Sequence, residues 1–360
     1  MPAKGKVPRQ NNTVKGSELR MSSMRAVQIS EPGADFELVD KEIPKPKENE
    51  ARIKVQACGV CHGEAVVKEG TFPDIKYPRV PGHEVVGTID KLGSNVAFWE
   101  IGERVGVGWY GGPCLECEAC RMGDPSTCTS FLTTGVSFDG GFAEYMVVPI
   151  QALSMIPPEL NSLEAAPLLC AGRTSFSALR FSGAKAGDLV AVLGLGGLGH
   201  LGVQFARKLG FKTVALSRGT GKQELAYTLG AHVYIDTESS NPAMELQKLG
   251  GARVILATAP NAKAISDLVN GLGFEGELIV VAYPGDPIQA FAWQLLGERR
   301  SIKGWTVRPA KHMSEDVLNF SVISGVVPMI EVFPLEQAAL AYEKMMTAKV
   351  HFRAVLKVGD

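Results

Sequence analysis

Apolar and polar positions follow different patterns in the two halves of the chain, and these patterns predict two kinds of domain. Before residue 173, short segments such as Ala51–Val55 and Glu84–Ile89 alternate between apolar and polar residues, as half-buried β-strands do. From residue 174 onward, short continuous apolar runs alternate with helical patterns, which predicts a parallel sheet covered by helices. The strands predicted there are Leu189–Leu193, Thr213–Leu216, Arg253–Ala257 and Glu277–Ala282.

The predicted fold class is α/β, a doubly wound parallel sheet joined to a mostly β domain. We place the β domain at 24–173, the doubly wound domain at 174–308, and at 309–360 a segment that returns to the first domain. This last segment carries a predicted helix over Glu336–Thr347 and a final strand over Ala354–Val358.

Residues 1–23 form a basic, polar tail that lacks the apolar segment of a secretory signal. We expect a disordered arm or a consequence of start-site choice, since Met21 and Met24 follow. An acid-poor composition also fits a transit peptide, although an amphipathic stripe is missing.

Composition and charge exclude several classes of partner. At a net charge of −1 over 360 residues, nothing favours nucleic acid or an anionic membrane surface. No apolar run approaches the roughly 20 residues that span a bilayer. The seven cysteines are clustered as reduced thiols would be, which indicates a reducing compartment and a cytoplasmic protein.

Four of these cysteines share one short loop, predicted over 111–129. Cys114, Cys117 and Cys120 are separated by two residues each, and Cys128 follows after seven more. Four thiolates on one loop can close a tetrahedron around zinc and leave no open ligand position, so we predict a structural zinc site.

A second cluster of metal-binding residue types is spread along the chain. Cys61, His83 and Cys170 could form a three-ligand zinc site whose open position lets the metal act as a Lewis acid. Taken singly, the two cysteines also fit small buried apolar residues, and the histidine fits a core position.

A glycine-rich turn follows the first strand of the doubly wound domain. Gly194, Gly196 and Gly199 form a GxGxxG pattern, and residues 200–209 then read as a helix that ends at Gly210. Between a strand and a helix, this pattern predicts a dinucleotide-binding loop whose backbone approaches a pyrophosphate at the helix N-terminus. The residues of the predicted loop are Gly194, Gly196, Gly197, Leu198 and Gly199.

The end of the second strand bears on the choice of cofactor. An NAD site usually has a carboxylate there for the ribose 2′-OH, but this chain reads Ser217-Arg218, with Lys222 close behind. Arg218 can donate to a 2′-phosphate and Ser217 can offer a hydroxyl, so we predict NADP(H) rather than NAD(H). The alternative is that Arg218 and Lys222 are solvated surface charges.

Together these motifs resemble the zinc-containing medium-chain alcohol dehydrogenases, in particular their yeast-type and cinnamyl-alcohol-dehydrogenase-like branches. The resemblance covers nearly all of residues 24–358. It implies a Rossmann cofactor domain, a GroES-like catalytic domain, and two Zn²⁺ per subunit, one catalytic and one structural. It also implies a homodimer or homotetramer. Two apolar, strand-like segments near the end of the cofactor domain could extend a sheet across subunits, namely Gln289–Leu296 and Ser301–Val307.

The resemblance also assigns roles to individual residues. Cys61, His83 and Cys170 match the catalytic zinc ligands, and Glu84 matches the acidic residue that can approach the metal. Thr174 matches a contact on the nicotinamide side, and Arg353 matches the arginine that reaches the cofactor pyrophosphate. Trp109 matches an aromatic residue of the substrate-pocket wall. Together with Tyr110 and Trp305, it suggests an aromatic or bulky apolar substrate.

One departure from the family pattern concerns the reaction itself. The first ligand is usually followed by His-Thr/Ser-Asp, whereas here His62-Gly63-Glu64 follows Cys61. Gly63 cannot relay a proton as the hydroxyl does, while Glu64 can still orient His83. A water, His62 or a substrate hydroxyl could replace the relay. Alternatively, the substrate needs no proton at oxygen, or Gly63 opens space for a bulky substrate.

The main hypothesis is an NADP(H)-dependent enzyme that transfers hydride between the nicotinamide and an alcohol or aldehyde held at zinc. A first alternative is a specialised reductase of C=N or C=C bonds in secondary metabolism, because the relay hydroxyl is missing. A lesser alternative is a non-redox lyase or a structural protein on the same fold. The natural substrate is not readable from these motifs.

Overall fold

Two large β-sheets organise the residues that the computed structural model describes, 23–306 and 313–359. The predicted basic tail lies outside the described residues except for Ser23. The predicted boundary between residues 308 and 309 lies outside them as well.

The first large sheet has seven strands and is mostly antiparallel. Its longest strand alternates between buried and accessible side chains along its first half, because one face covers the core. Strands from the C-terminal segment add to the same sheet, which joins this segment to the β domain. In spatial order the strands are β16 (Ile330–Pro334), β17 (Arg353–Lys357), β3 (Glu50–Val60), β4 (Val85–Leu92), β5 (Arg104–Val107) and β9 (Leu153–Met155), with β8 (Tyr145–Pro149) also pairing with β3.

The second large sheet has six strands, and every pairing in it is parallel. Its central strand is buried at all five positions, as expected for a strand with helices on both faces. The order reverses direction beside this strand, which is the arrangement of a doubly wound dinucleotide fold. In spatial order the strands are β12 (Val233–Asp236), β11 (Lys212–Ser217), β10 (Leu189–Leu193), β13 (Ala252–Ala257), β14 (Leu272–Val280) and β15 (Ser301–Gly304).

Two small antiparallel pairs complete the strands of the described chain. They are β1 (Ser23–Ile29) with β2 (Phe36–Glu42), and β6 (Tyr110–Gly112) with β7 (Leu132–Thr133).

The α-helices are mostly short, and several begin at an asparagine cap. Asn161, Asn241 and Asn261 each accept a backbone N–H from the first turn of the helix that follows, which satisfies a donor that the helix itself leaves unpaired. The helices are α1 (Ala65–Lys68), α2 (Glu118–Arg121), α3 (Ser162–Pro167), α4 (Arg173–Arg180), α5 (Gly199–Lys208), α6 (Gln223–Thr228), α7 (Pro242–Lys248), α8 (Ala262–Asp267), α9 (Ala292–Leu296), α10 (Met313–Ser324) and α11 (Ala338–Met346).

The α/β fold class is confirmed, and the predicted strands of the parallel sheet correspond to β10, β11, β13 and β14. The predicted strand character of Gln289–Leu296 is wrong, because residues 292–296 form α9. The Gln294 side chain accepts the backbone N–H of Phe291 at 2.6 Å and so caps this helix. No helix among residues 23–306 and 313–359 is long and apolar enough to cross a membrane.

Candidate active site

Four side chains that are distant in sequence converge where β3 ends and β4 begins. The antiparallel pairing of Cys58 with Val85 places Cys61, just after β3, beside His83 and Glu84, just before β4. Cys170 comes from a π-helical turn over Leu168–Gly172. The ligand atoms of Cys61, His83, Glu84 and Cys170 all lie within 4.8 Å of one another. Two sulfur donors with one imidazole and one carboxylate form a donor set that suits zinc.

Glu64 contacts two residues of this cluster, Cys61 and His83. Its Oε2 accepts the backbone N–H of Cys61 at 2.7 Å, and its Oε1 lies 2.6 Å from Nδ1 of His83. Since Glu64 and His83 are both buried, the carboxylate fixes the ring orientation and directs Nε2 towards Cys170 Sγ, 3.4 Å away.

The second carboxylate of the cluster, Glu84, forms a buried ion pair with Arg353. Burial raises the pKa of Glu84 to about 7, although the charge of Arg353 opposes this rise. Glu84 Oε2 is buried without a hydrogen-bond partner. An unpaired buried oxygen on a residue of this cluster fits a bound cation, because such an atom is otherwise costly to bury.

The two cysteines of the cluster contact each other through their sulfur atoms. The Cys170 thiol, 3.8 Å away, lowers the pKa of Cys61 well below its ordinary value by hydrogen bonding, and His83 acts in the same direction against burial. A thiolate is the form of cysteine that binds metal, so Cys61 is prepared for this role.

The four cysteines of the 111–129 loop also converge. Sγ atoms of Cys114, Cys117, Cys120 and Cys128 lie within 4.8 Å of one another. Hydrogen bonds from the backbone N–H groups of Cys120 and Thr129 lower the pKa of Cys117 to about 6. Four sulfur atoms at this spacing fit a closed tetrahedral zinc site.

Gly63 lies directly against the cluster. A Cβ at this position would lie 2.7 Å from His83 Cε1 and 3.1 Å from Trp109 Cζ3. The Trp109 ring meets the His83 ring edge-on, with centroids 4.8 Å apart. His83 and Trp109 therefore occupy the space at the Cβ position of Gly63, and the idea that Gly63 opens space for a bulky substrate stays a prediction.

The other residues proposed near the substrate are more scattered. Tyr110 stacks on Phe131, with ring centroids 6.4 Å apart, at the cysteine loop. Trp305 donates to Ser177 Oγ at 2.9 Å and stacks on Phe181, at the far end of α4. His62 is exposed at the edge of the turn after Cys61. Trp109 contacts the metal cluster through the His83 ring.

The glycine-rich turn between β10 and α5 is formed as predicted. Gly194 has a φ of +94°, and a Cβ on Gly199 would lie 1.8 Å from the carbonyl oxygen of Gly194. A side chain at Gly199 would therefore prevent the turn from closing. The position of a Cβ on Gly196 faces open space, which leaves room for a pyrophosphate to approach the backbone.

The rest of this loop connects to the metal cluster. A Cβ on Gly197 would lie 3.1 Å from Nη1 of Arg353, the same arginine that pairs with Glu84. The carbonyl oxygen of Leu198 accepts a hydrogen bond from Ser175 at 3.2 Å, next to the buried Thr174 in the first turn of α4. Arg353 thus lies between the loop and the metal cluster.

The residues predicted to select the cofactor lie at the end of β11. Arg218 is exposed and Ser217 is partly buried. Lys222 donates to the carbonyl oxygen of Leu195 at 2.8 Å, so it contacts the glycine-rich loop from its position after the end of β11. Sequence reasoning missed Asp236, which pairs in register with Ser217 from β12. The end of β11 itself has no carboxylate, but the neighbouring strand β12 supplies that of Asp236.

Comparison with known proteins identifies the class of this fold and site. A model described as the alcohol dehydrogenase GroES-like domain matches residues 47–158, and a zinc-binding dehydrogenase model matches residues 197–322. The alcohol dehydrogenase patD of Penicillium expansum is 40% identical over 93% of this chain and 98% of its own length. Cinnamyl alcohol dehydrogenase 2 of Rauvolfia serpentina is 33% identical over 87% of this chain and 89% of its own.

A solved structure agrees with these relatives. A cinnamyl alcohol dehydrogenase from Sorghum bicolor superimposes with a TM-score of 0.84 at 28% identity, over 93% of this chain and 97% of its own. The doubly wound fold, the β domain and the Cys–His–Cys cluster together define a zinc-binding dehydrogenase. The chain belongs to the medium-chain zinc alcohol dehydrogenase family, whose cofactors are zinc and a nicotinamide dinucleotide, and it is an oxidoreductase of the alcohol dehydrogenase type.

Proposed function

We propose that this protein is an NADP(H)-dependent zinc alcohol dehydrogenase or aldehyde reductase. The observation that carries the proposal is the convergence of Cys61, His83 and Cys170, with Glu84, within 4.8 Å. When bound, zinc supplies a Lewis acid and the nicotinamide supplies or accepts a hydride. One catalytic and one structural Zn²⁺ per subunit account for both cysteine clusters.

The residues around the cluster position its ligand side chains. Glu64 keeps the His83 ring in one orientation, and Trp109 closes one side of that ring. The Arg353–Glu84 pair lies beside Gly197, so a phosphate at the glycine-rich loop would attract Arg353, and a cation at the cluster would attract Glu84, each in competition with the ion pair. This arrangement links cofactor binding to the metal site through one buried ion pair.

The preference for NADP(H) is supported by Arg218, an exposed guanidinium at the end of β11. A guanidinium matches the geometry and charge of a 2′-phosphate. All seven cysteines are free of disulfides, which supports a reducing compartment such as the cytoplasm.

A second candidate function is reduction of C=N or C=C bonds. Gly63 provides no hydroxyl, and the space beside it is taken by His83 and Trp109. A substrate that needs no proton at oxygen would make this relay unnecessary. This candidate shares the metal site and the cofactor with the first one.

We further propose a homodimer or homotetramer assembled through the edge of the parallel sheet. β15 is the last strand of that sheet in the described chain, and α9 shortly before it exposes Trp293 and Leu296. An uncovered strand edge next to apolar side chains suits pairing with a second copy.

The proposal is tested by following NADPH oxidation at 340 nm with cinnamaldehyde, benzaldehyde and a cyclic iminium, with NADH in parallel. Fast aldehyde reduction that favours NADPH is the expected result. Activity on the iminium alone would instead establish the second candidate.

A matched variant connects the activity to the metal. Cys170→Ser should lower the zinc content by about one atom per chain and reduce aldehyde turnover at least 100-fold. Cys58→Ser is the control, because Cys58 is buried but lies outside both metal clusters. Full activity of the Cys170 variant would overturn the proposed metal site.

A further inference from the structure

The loop that follows β11 is braced by two side chains of the neighbouring strand β12. Gly219 donates its N–H to Asp236 Oδ1 at 2.7 Å, and its carbonyl oxygen accepts the Tyr234 hydroxyl at 2.5 Å. Both backbone polar groups of Gly219 are therefore fixed from outside the loop. Gly219 itself has a φ of +64°, a conformation that needs such support or a glycine.

Two of the side chains around Gly219, Asp236 and Glu238, are carboxylates. Asp236 Oδ1 also accepts the N–H of Glu238 at 2.9 Å, and these backbone donors lower the pKa of Asp236, so the carboxylate is ionised at neutral pH. Glu238 Oε2 lies 3.5 Å from the position of a Cβ on Gly219. Two carboxylates therefore face the residue next to Arg218.

The position of these charges matters for the cofactor. The end of the second strand of a doubly wound sheet lies beside the adenosine ribose, and the loop after β11 occupies this place. A 2′-phosphate bound at Arg218 would approach the Asp236 carboxylate, whereas a 2′-hydroxyl would not be repelled by it. The Gly219 N–H, which could otherwise donate to a phosphate, is already used by Asp236.

We propose that Asp236 is a specificity-determining residue that limits the preference of this enzyme for NADP(H) over NAD(H). It acts by fixing Gly219 and by placing a negative charge next to the site of the 2′-phosphate. The inference rests on the proposed cofactor role of Arg218. It predicts an enzyme that favours NADP(H) only moderately and retains measurable use of NAD(H).

The test is a fluorescence titration of the full-length, zinc-loaded protein with NADPH and with NADH, without substrate, at low and high salt. Asp236→Asn keeps an oxygen for the Gly219 N–H but removes the charge. It should tighten NADPH binding about threefold to tenfold and change NADH binding less than twofold. The effect should shrink in high salt, since screening weakens repulsion between exposed charges.

Two further variants separate charge from structure. Tyr234→Phe removes the bond to the Gly219 carbonyl and should weaken both cofactors equally. Glu238→Gln removes the neighbouring charge without touching the bonds to Gly219, and should favour NADPH in the same direction as Asp236→Asn. Glu238→Gln also serves as the test variant if thermal melting shows that Asp236→Asn is unfolded.

The possible results separate a failure of this inference from a failure of the proposed function. Equal changes for both cofactors, or none, in Asp236→Asn and Glu238→Gln would show a structural brace only and overturn the inference. If the wild-type protein binds neither cofactor, the proposed function fails, and the inference fails with it.

Discussion

At the scale of single residues, close packing around the metal cluster decides what each position can hold. Glu64, His83 and Trp109 stand in one line of contacts, from carboxylate to imidazole to indole. Gly63 lies beside this line, where even one methyl group would come closer than atoms normally approach. The neighbouring side chains therefore favour glycine at position 63, and this glycine also lacks the hydroxyl of the usual family pattern.

This packing predicts the effect of adding a side chain at Gly63. Gly63→Ala and Gly63→Ser should both lower kcat/KM about 10- to 100-fold, because the His83 ring must shift and take a metal ligand with it. Steady-state kinetics and zinc content of the two variants provide the measurement. If the serine variant were clearly faster than wild type, the missing relay hydroxyl would be limiting and the steric argument would be wrong.

His200 predicts a pH dependence of stability. Its Nε2 accepts the N–H of Met329 at 3.1 Å, and its Nδ1 lies 3.1 Å from the carbonyl oxygen of Gly196. The Met329 contact needs an unprotonated Nε2, and burial lowers the pKa of His200 to about 4. Between the ordinary pKa of about 6.5 and this value, the unfolded chain binds more protons, so the free energy of unfolding falls as the pH drops.

The expected loss from His200 is roughly 3 kcal/mol, nearly complete at pH 4. His200→Gln cannot titrate, so its free energy of unfolding should fall less steeply between pH 6.5 and pH 4 than that of the wild type. Urea unfolding of both proteins at several pH values checks this. Parallel curves for the two proteins would show that His200 contributes nothing to the acid sensitivity.

At the scale of elements, the segment between β6 and β7 depends on its cysteines. It exposes Leu115 and Met122 and contains only α2 and one further short turn. With so little apolar burial of its own, the segment needs a metal as its core. β6 also leads directly from Trp109, at the active site, into this segment.

Removing one sulfur should therefore unfold the segment without emptying the other site. Cys120→Ser is expected to lose about one zinc per chain and to lower Tm by on the order of 5–10 °C. Glu118→Gln, an exposed change in the same short helix, is the control and should keep both metals. Retention of two zinc atoms by Cys120→Ser would contradict a four-sulfur site.

At the scale of the whole molecule, the two sheets meet at the residues that serve the reaction. The C-terminal strand β17 begins at Arg353 and pairs with β3, so a residue near the end of the chain reaches both Glu84 and the glycine-rich loop. The opposite side of the parallel sheet ends at β15. The contact between the two sheets thus lies among buried residues, and the edge at β15 is the proposed surface for assembly.

The proposed assembly surface gives a prediction about mass in solution. Light scattering coupled to size exclusion should give at least twice the 38.5 kDa of one chain. Trp293→Glu should shift the protein towards the monomer, because it places a charge at the proposed interface. Phe98→Glu, equally exposed on the catalytic domain, should leave the mass unchanged, and a monomeric wild type would refute the proposed assembly.

The amino-acid sequence by itself determined the features that depend on neighbours along the chain. β10, the glycine-rich turn and α5 follow from local periodicity and from the space that a glycine leaves. The cysteine loop follows from spacing alone. The types of residue at the catalytic cluster were also evident, because few side chains bind zinc.

Tertiary structure alone decided which distant residues meet. Sequence reasoning treated Gln289–Leu296 as strand-like, whereas residues 292–296 form a helix whose Gln294 donates to Asn270 Oδ1, at 3.0 Å, in a separate element. It could not place Trp109 against Gly63 or Asp236 beside Gly219, because these contacts join separate elements. Local patterns fix the period of an element, whereas contacts between elements depend on how whole sheets and helices pack.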